Sequence, residues 1–308
     1  MKKITLIFLL TTTYIFSNIN TVVSILPVKT FVKTIGGDKV NVSLMVQPGN
    51  SPHTYEPKPS QMVDIAKAQL YFAIDVEFED VWLPKFQNLN SNMKVIDLAD
   101  NVEKIQMQGS HEEEGHEGHH HDAHAHQGED PHIWTAPSNV KIIAQNIYHA
   151  LIKADPENQD YYKRNLDIFL ASIDETHRQI MHIISTLEDG EKFMVFHPSW
   201  GYFAKAYNLE QIAVEVEGKE PKPKELIYLL KEAKEEKVNA IFTQPEFSDT
   251  TAKIIAKELL IPVVKVTPLA ENLSENLINI AKVIAGNNYD VCHRYQKCII
   301  RLRKATDT

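Results

Sequence analysis

Fourteen histidines occur in the 308 residues, and eight of them fall between His111 and His132. Seven of these (His111, His116, His119, His120, His121, His124 and His126) lie in HEEEGHEGHHHDAHAHQGED, interleaved with seven carboxylates and no Lys or Arg. Neutral imidazole is a common ligand of zinc, copper and nickel, and dense His with carboxylate suits those ions. The stretch has almost nothing apolar to bury and cannot offset its ordering entropy, so residues 109–130 are expected to form a mobile metal-handling loop. An affinity tag would sit at a terminus and lack the acidic interleaving.

Three further histidines stand in a different setting. His53 lies in SPHTYEPKPS, His132 in EDPHIW and His197 in FHPSWGYF. Each has a proline neighbour (Pro52, Pro131, Pro198) that restricts the backbone beside it. Three imidazoles with an open or water-filled fourth position are a set that zinc accepts. His149, His177 and His182 lie on helical patterns, and His293 lies in the C-terminal tail; none is expected to bind metal.

Short β-branched runs alternate with helical patterns. Strands are expected at 21–26, 40–46, 70–74, 95–98, 192–197, 212–216, 240–243 and 263–266, with helices from the end of the first strand to Ile35 and at 60–67, 138–153, 202–207, 224–237, 250–260 and 274–285. Such alternation implies βαβ units around parallel sheets. Asp155-Pro156-Glu157 starts a helix free of Gly and Pro to Leu187, with Asp155 as its N-cap. About 30 residues would make a rod of roughly 45–50 Å. The expected fold class is α/β: two small parallel-sheet lobes joined by one long rigid helix. The expected boundaries are a signal peptide at 1–17, an N-terminal lobe at 18–154, a linking helix at 155–188, a C-terminal lobe at 189–286 and a tail at 287–308. In open α/β sheets, ligands bind beyond the carboxyl ends of strands. His53, His132 and His197 all follow strands, so a metal site is expected in the cleft between the lobes.

The formal net charge is −9, of which the His-rich stretch carries −7, leaving −2 for the rest. A body so nearly neutral has no basic face for nucleic acid. Met1-Lys2-Lys3 followed by the apolar run Ile4 to Phe16 has the form of a secretory signal, and no later run is long enough for a membrane span. No Cys lies near the expected cleavage site, so no lipid anchor is expected. Cys292 and Cys298 could pair with each other in an oxidising compartment, but they lie far from every His motif.

Taken together, VVSILP, SPHTYEPKPSQ, the acidic His-rich loop, DPHIW, FHPSWGYFAKAYNL, EGKEPKPKEL and TPLAENL resemble the periplasmic zinc-binding components of ABC transporters, the ZnuA/TroA-like (cluster A-I) solute-binding proteins. The resemblance spans Thr21 to Gly286. It implies a monomeric periplasmic protein that holds Zn2+ between its lobes through His53, His132 and His197. It also implies delivery to a membrane permease driven by a cytoplasmic ATPase. Many relatives carry an Asp ligand just before the Pro-Leu pair of the last strand–helix loop, where this chain has Thr267. The fourth position is therefore open to water, a loop histidine, Glu56 or Glu246. Loss of that oxygen ligand favours zinc over manganese.

A catalytic zinc would also accept three histidines and a water, but a hydrolase needs a positioned base. HEEEG is not HExxH, because position 115 is Gly, and Ser199 in HPSWG is not in G-x-S-x-G. Glu56, Glu220 and Glu246 read better as loop or cap residues than as bases. A binding protein rather than an enzyme is expected, with a zinc hydrolase or a manganese-binding or metal-storage surface protein as the alternatives.

Overall fold

The computed structural model describes residues 18–107, 128–188, 190–215 and 219–286. The expected signal segment, the seven loop histidines, and the tail with Cys292, His293 and Cys298 lie outside the described residues.

The first sheet contains β1 (Ile19–Val23), β2 (Val40–Leu44), β3 (Leu70–Ala73) and β4 (Lys94–Asp97), all parallel in the order β2-β1-β3-β4. The second contains β5 (Lys192–Val195), β6 (Glu210–Ala213), β7 (Ile241–Thr243) and β8 (Val263–Lys265), parallel in the corresponding order β6-β5-β7-β8. β1, β3, β5 and β7 lie inside their sheets and are almost wholly buried, as continuous apolar runs between two helical layers should be. The edge strands β4 and β8 are half-buried to exposed.

In the first lobe α1 (Leu26–Gly36), α2 (Pro59–Lys67), α3 (Glu77–Leu89) and α4 (Pro137–Ala154) cover the sheet. Proline stands in the first turn of α1, α2 and α4, where its missing N–H would have had no helical partner. α3 has no counterpart among the helices expected from the sequence. Its interior Pro84 interrupts the pattern, yet the helix continues past it.

The long connecting helix is present, with a 3-10 first turn. A 3-10 turn at Pro156–Asn158 precedes α5 (Gln159–Ile184), whose 26 residues reach roughly 39 Å at 1.5 Å each. Asp155 does not cap a backbone N–H: its Oδ2 accepts from Asn158 Nδ2 and from the Tyr162 hydroxyl, both at 2.7 Å. The 3-10 turn separates Asp155 from the first amides of α5, so its carboxylate bonds side chains instead. Tyr162, Leu166, Phe169, Ile173, Thr176, Ile180 and Ile184 recur every three to four residues and form the buried face of α5, apolar except at Thr176. Each such apolar side chain contributes about 1.5–3 kcal/mol on burial.

The second lobe adds α6 (Gly201–Ala206), α7 (Pro223–Glu235), α8 (Thr250–Leu259) and α9 (Leu273–Ile284). Its far side has a small core of its own around Met194, Ile212, Leu229, Ile241 and Ile255. Its near side does not. Phe193, Trp200, Phe203, Phe242, Leu277 and Ile280 join the same apolar cluster as Val22, Phe31, Trp134 and the buried face of α5. The lobes therefore share one continuous core.

Candidate metal centre

His53 lies in the loop between β2 and α2, His132 immediately before the 3-10 turn Ile133–Thr135, and His197 two residues past β5. The folded chain brings the three rings together. Ring centroids lie 5.2 Å apart for His53 and His197, and 5.3 Å apart for His132 and His197. Two imidazoles bound to one tetrahedral zinc through bonds of about 2 Å have centroids about 5 Å apart. Among the described residues no group of three or more His, Cys, Asp or Glu side chains already has the spacing of a closed metal cage. The ring separations match those of two imidazoles on one zinc ion.

Each ring spends one nitrogen on a carboxylate. His53 Nδ1 is 3.0 Å from Glu77 Oε1, His132 Nδ1 is 2.8 Å from Asp130 Oδ1, and His197 Nδ1 is 2.8 Å from Glu215 Oε1. A carboxylate on Nδ1 holds the proton there, fixes the ring orientation and makes Nε2 the lone-pair donor. Nε2 of His197 is buried and has no partner among the described residues. An unpartnered buried nitrogen is costly unless something binds it, and a cation does so.

The three settings differ. His132 and His197 are almost fully buried, whereas the His53 side chain is 30% exposed. The hydrogen bond to Glu77 raises the His53 pKa against the effect of burial. Burial opposes ionisation of Glu77, but the bond and charge of His53 bring its carboxyl down to about 2. Burial lowers the His197 pKa, overcoming the bond to Glu215, and keeps that imidazole neutral and ready for metal.

Buried side chains anchor each loop. Gln61 Nε2 donates to the Leu44 and Met45 carbonyls, and its Oε1 accepts from Lys58 N and the Tyr55 hydroxyl, closing the His53 loop at its base. Asp130 Oδ1 also accepts from His132 N. Gln244 accepts from His197 N at 3.3 Å and donates to its carbonyl at 2.8 Å, and His197 stacks on Phe247 with centroids 4.9 Å apart.

The three histidines, Glu77, Trp134, Gln244, Glu246 and Phe247 line a cavity of about 20 Å³, room for one ion or one water. Among the oxygen donors named from sequence, Glu246 lines it and its pKa is raised by burial; Glu56 is exposed and does not line it. The Thr267 hydroxyl faces Glu246 Oε1 at 3.5 Å and accepts from Leu269 N. Glu220 bonds Thr251, and Ser199 closes a turn onto the His197 carbonyl, so neither has the placement of a base. Trp134 lines the cavity, whereas Trp200 is core. His177 pairs with the Tyr207 hydroxyl, away from the cleft.

No sequence motif marks the carboxylate partners. Asp130 stands two residues before His132. Glu77 sits on the unforeseen α3, and Glu215 follows β6 in a loop with no motif of its own.

Residues 21–287 match the family model for ZnuA, the periplasmic component A of the zinc-uptake complex. A crystal structure of a zinc-bound ZnuA deletion mutant superposes with a TM-score of 0.78 at 40% identity, covering 87% of this chain and 97% of that one. The zinc-binding lipoprotein AdcA of Streptococcus pneumoniae is 26% identical over 94% of this chain, which spans only 56% of that longer relative. A metal ABC transporter substrate-binding lipoprotein of Lactococcus lactis is 29% identical, covering 80% of this chain and 77% of its own length. With a match across almost the whole described chain, this protein belongs to the ZnuA family of periplasmic zinc-uptake components.

Proposed function

We propose that this chain is an extracytoplasmic zinc-binding protein that captures Zn2+ in the cleft and passes it to an ABC permease powered by an ATPase. The observation that carries this is the convergence of His53, His132 and His197, each with Nδ1 on a carboxylate and Nε2 left to donate. Three neutral imidazoles match zinc in donor type. Glu77, Asp130 and Glu215 place three negative charges behind them, which raises ligand basicity and offsets the charge of the ion. The fourth position falls to Glu246 or a water. A carrier fits better than a hydrolase, because Glu220 and Ser199 are bonded elsewhere and Glu56 does not line the cavity, which leaves those candidates without the placement of a base. The seven loop histidines supply weaker, auxiliary binding that feeds the cleft.

The test is competitive titration of the mature protein with zinc, manganese and copper beside a His53→Ala, His132→Ala, His197→Ala triple variant. One tight zinc site should vanish in the variant while weaker binding survives. Tight binding that persists would move the principal site to the loop.

A further inference from the structure

We propose that His132 and His197 form a rigid half-site fixed to the second lobe by Tyr202 and Trp134, and that His53 is the ligand that attaches last and leaves first. This rests on the metal-carrier reading above and adds an order of events and two positioning residues.

His132 precedes α4 in the first lobe, yet its segment is fastened to the second lobe on both sides. On one side the buried Tyr202 of α6 donates its hydroxyl hydrogen to the Asp130 carbonyl at 2.9 Å and accepts from Ile105 N at 3.3 Å. Asp130 is the residue whose carboxylate holds both the backbone N–H and Nδ1 of His132. Gly201 packs so close that a Cβ there would lie 2.6 Å from Asp130 Oδ2. On the other side Trp134 Nε1, fully buried, donates to the Pro268 carbonyl at 2.7 Å. Bonds with no water to compete for them resist separation. Tyr202 and Gly201 open the helix that follows His197 by four residues, so the element that receives His132 is continuous with the loop that carries His197. Gln244 and Phe247 immobilise His197 itself.

His53 has none of this. Its ring bonds only Glu77, which is 46% exposed, and its backbone N–H bonds the neighbouring Ser51 hydroxyl. Among the described residues no hydrogen bond joins the His53 loop to the second lobe. Gln61 anchors that loop at its base and leaves its tip free to swing. Two preset ligands and one exposed ligand produce an ordered exchange: the ion lands on His132 and His197, and His53 closes over it.

The experiment uses Co2+ as a spectroscopic stand-in for zinc, at no more than one equivalent, on the full chain. His53→Ala should keep one-to-one binding, weakened, with chelator-driven release at least about tenfold faster. His132→Ala and His197→Ala should lose binding at the same concentrations. Tyr202→Phe and Trp134→Phe should alter the visible Co2+ spectrum and speed release several-fold. Melting of the metal-free forms is followed alongside, because a merely structural loss would lower Tm without changing the spectrum. If Trp134→Phe does not fold, Tyr202→Phe alone decides. Loss of binding in His53→Ala equal to that in the other two, or an unchanged spectrum and release rate in Tyr202→Phe, would overturn the inference while leaving the carrier reading intact. A wild-type chain without one-to-one binding would overturn both.

Discussion

Every imidazole of the cleft divides its two nitrogens between a carboxylate and the cavity. Removing the carboxylate therefore acts on the metal through the ring. Glu215→Gln should weaken zinc binding by roughly tenfold to a hundredfold with the fold intact, measured by chelator competition. A second buried carboxylate acts on stability instead. Glu79 accepts from the Ile74 and Asp75 amides and from Ser24, which also bonds Tyr71, and burial pushes its pKa from 4.5 up to about 7. The native state thus holds a proton that the unfolded chain releases above about pH 4.5. Stability should fall by up to about 3 kcal/mol as pH rises from about 4.5 to 7, then level off. In Glu79→Gln that slope should disappear from urea denaturation curves taken across the range; a slope unchanged in the variant would assign it to other groups. That His53, His132 and His197 converge was legible, because proline and strand ends mark them. Glu77 and Glu215 were not, since a carboxylate that meets a histidine only through folding leaves no local pattern.

At the level of elements, the loops that carry His53 and His197 are each fixed at a sheet end by a buried side chain. Gln61 and Gln244 do this with amides that both donate and accept, which is why neither could be recognised from its residue type. The strand alternation and parallel sheets were legible, because buried interior strands read as apolar runs. α3 was not: Pro84 looks like a break, and only packing of Phe78 and Phe86 into the core carries the helix through it. The start of α6 offers a sharp test of element packing. Gly201→Ala would set a methyl against Asp130 Oδ2 and should cost about 1–3 kcal/mol, while displacing the partner of His132. Thermal melting and zinc titration should both register it; a normal affinity would mean that Asp130 can shift freely.

For the whole molecule, the shared core and the single connector α5 oppose large hinge motion. Metal loading should change the dimensions seen by solution scattering by no more than a few ångströms. Deleting residues 109–128 should leave one tight zinc per chain and remove the weaker ions; a full complement of zinc after the deletion would end the collector role. The two-lobe plan was legible from the alternation of elements and from a Gly- and Pro-free helical run. The fusion of the cores was not, because it depends on which faces of α5 and α9 meet, and sequence spacing shows a face without naming its neighbour.

The packing of α9 against α5 sets the order in which the chain can fold. One wall around the central helix is contributed by Leu277, Ile280, Ala281 and Ile284, near the end of the described chain. Contacts so distant in sequence carry a high loop-closure cost and form late. A chain cut short before those residues should leave the buried face of α5 without one of its walls, and so leave the core shared by both lobes incomplete.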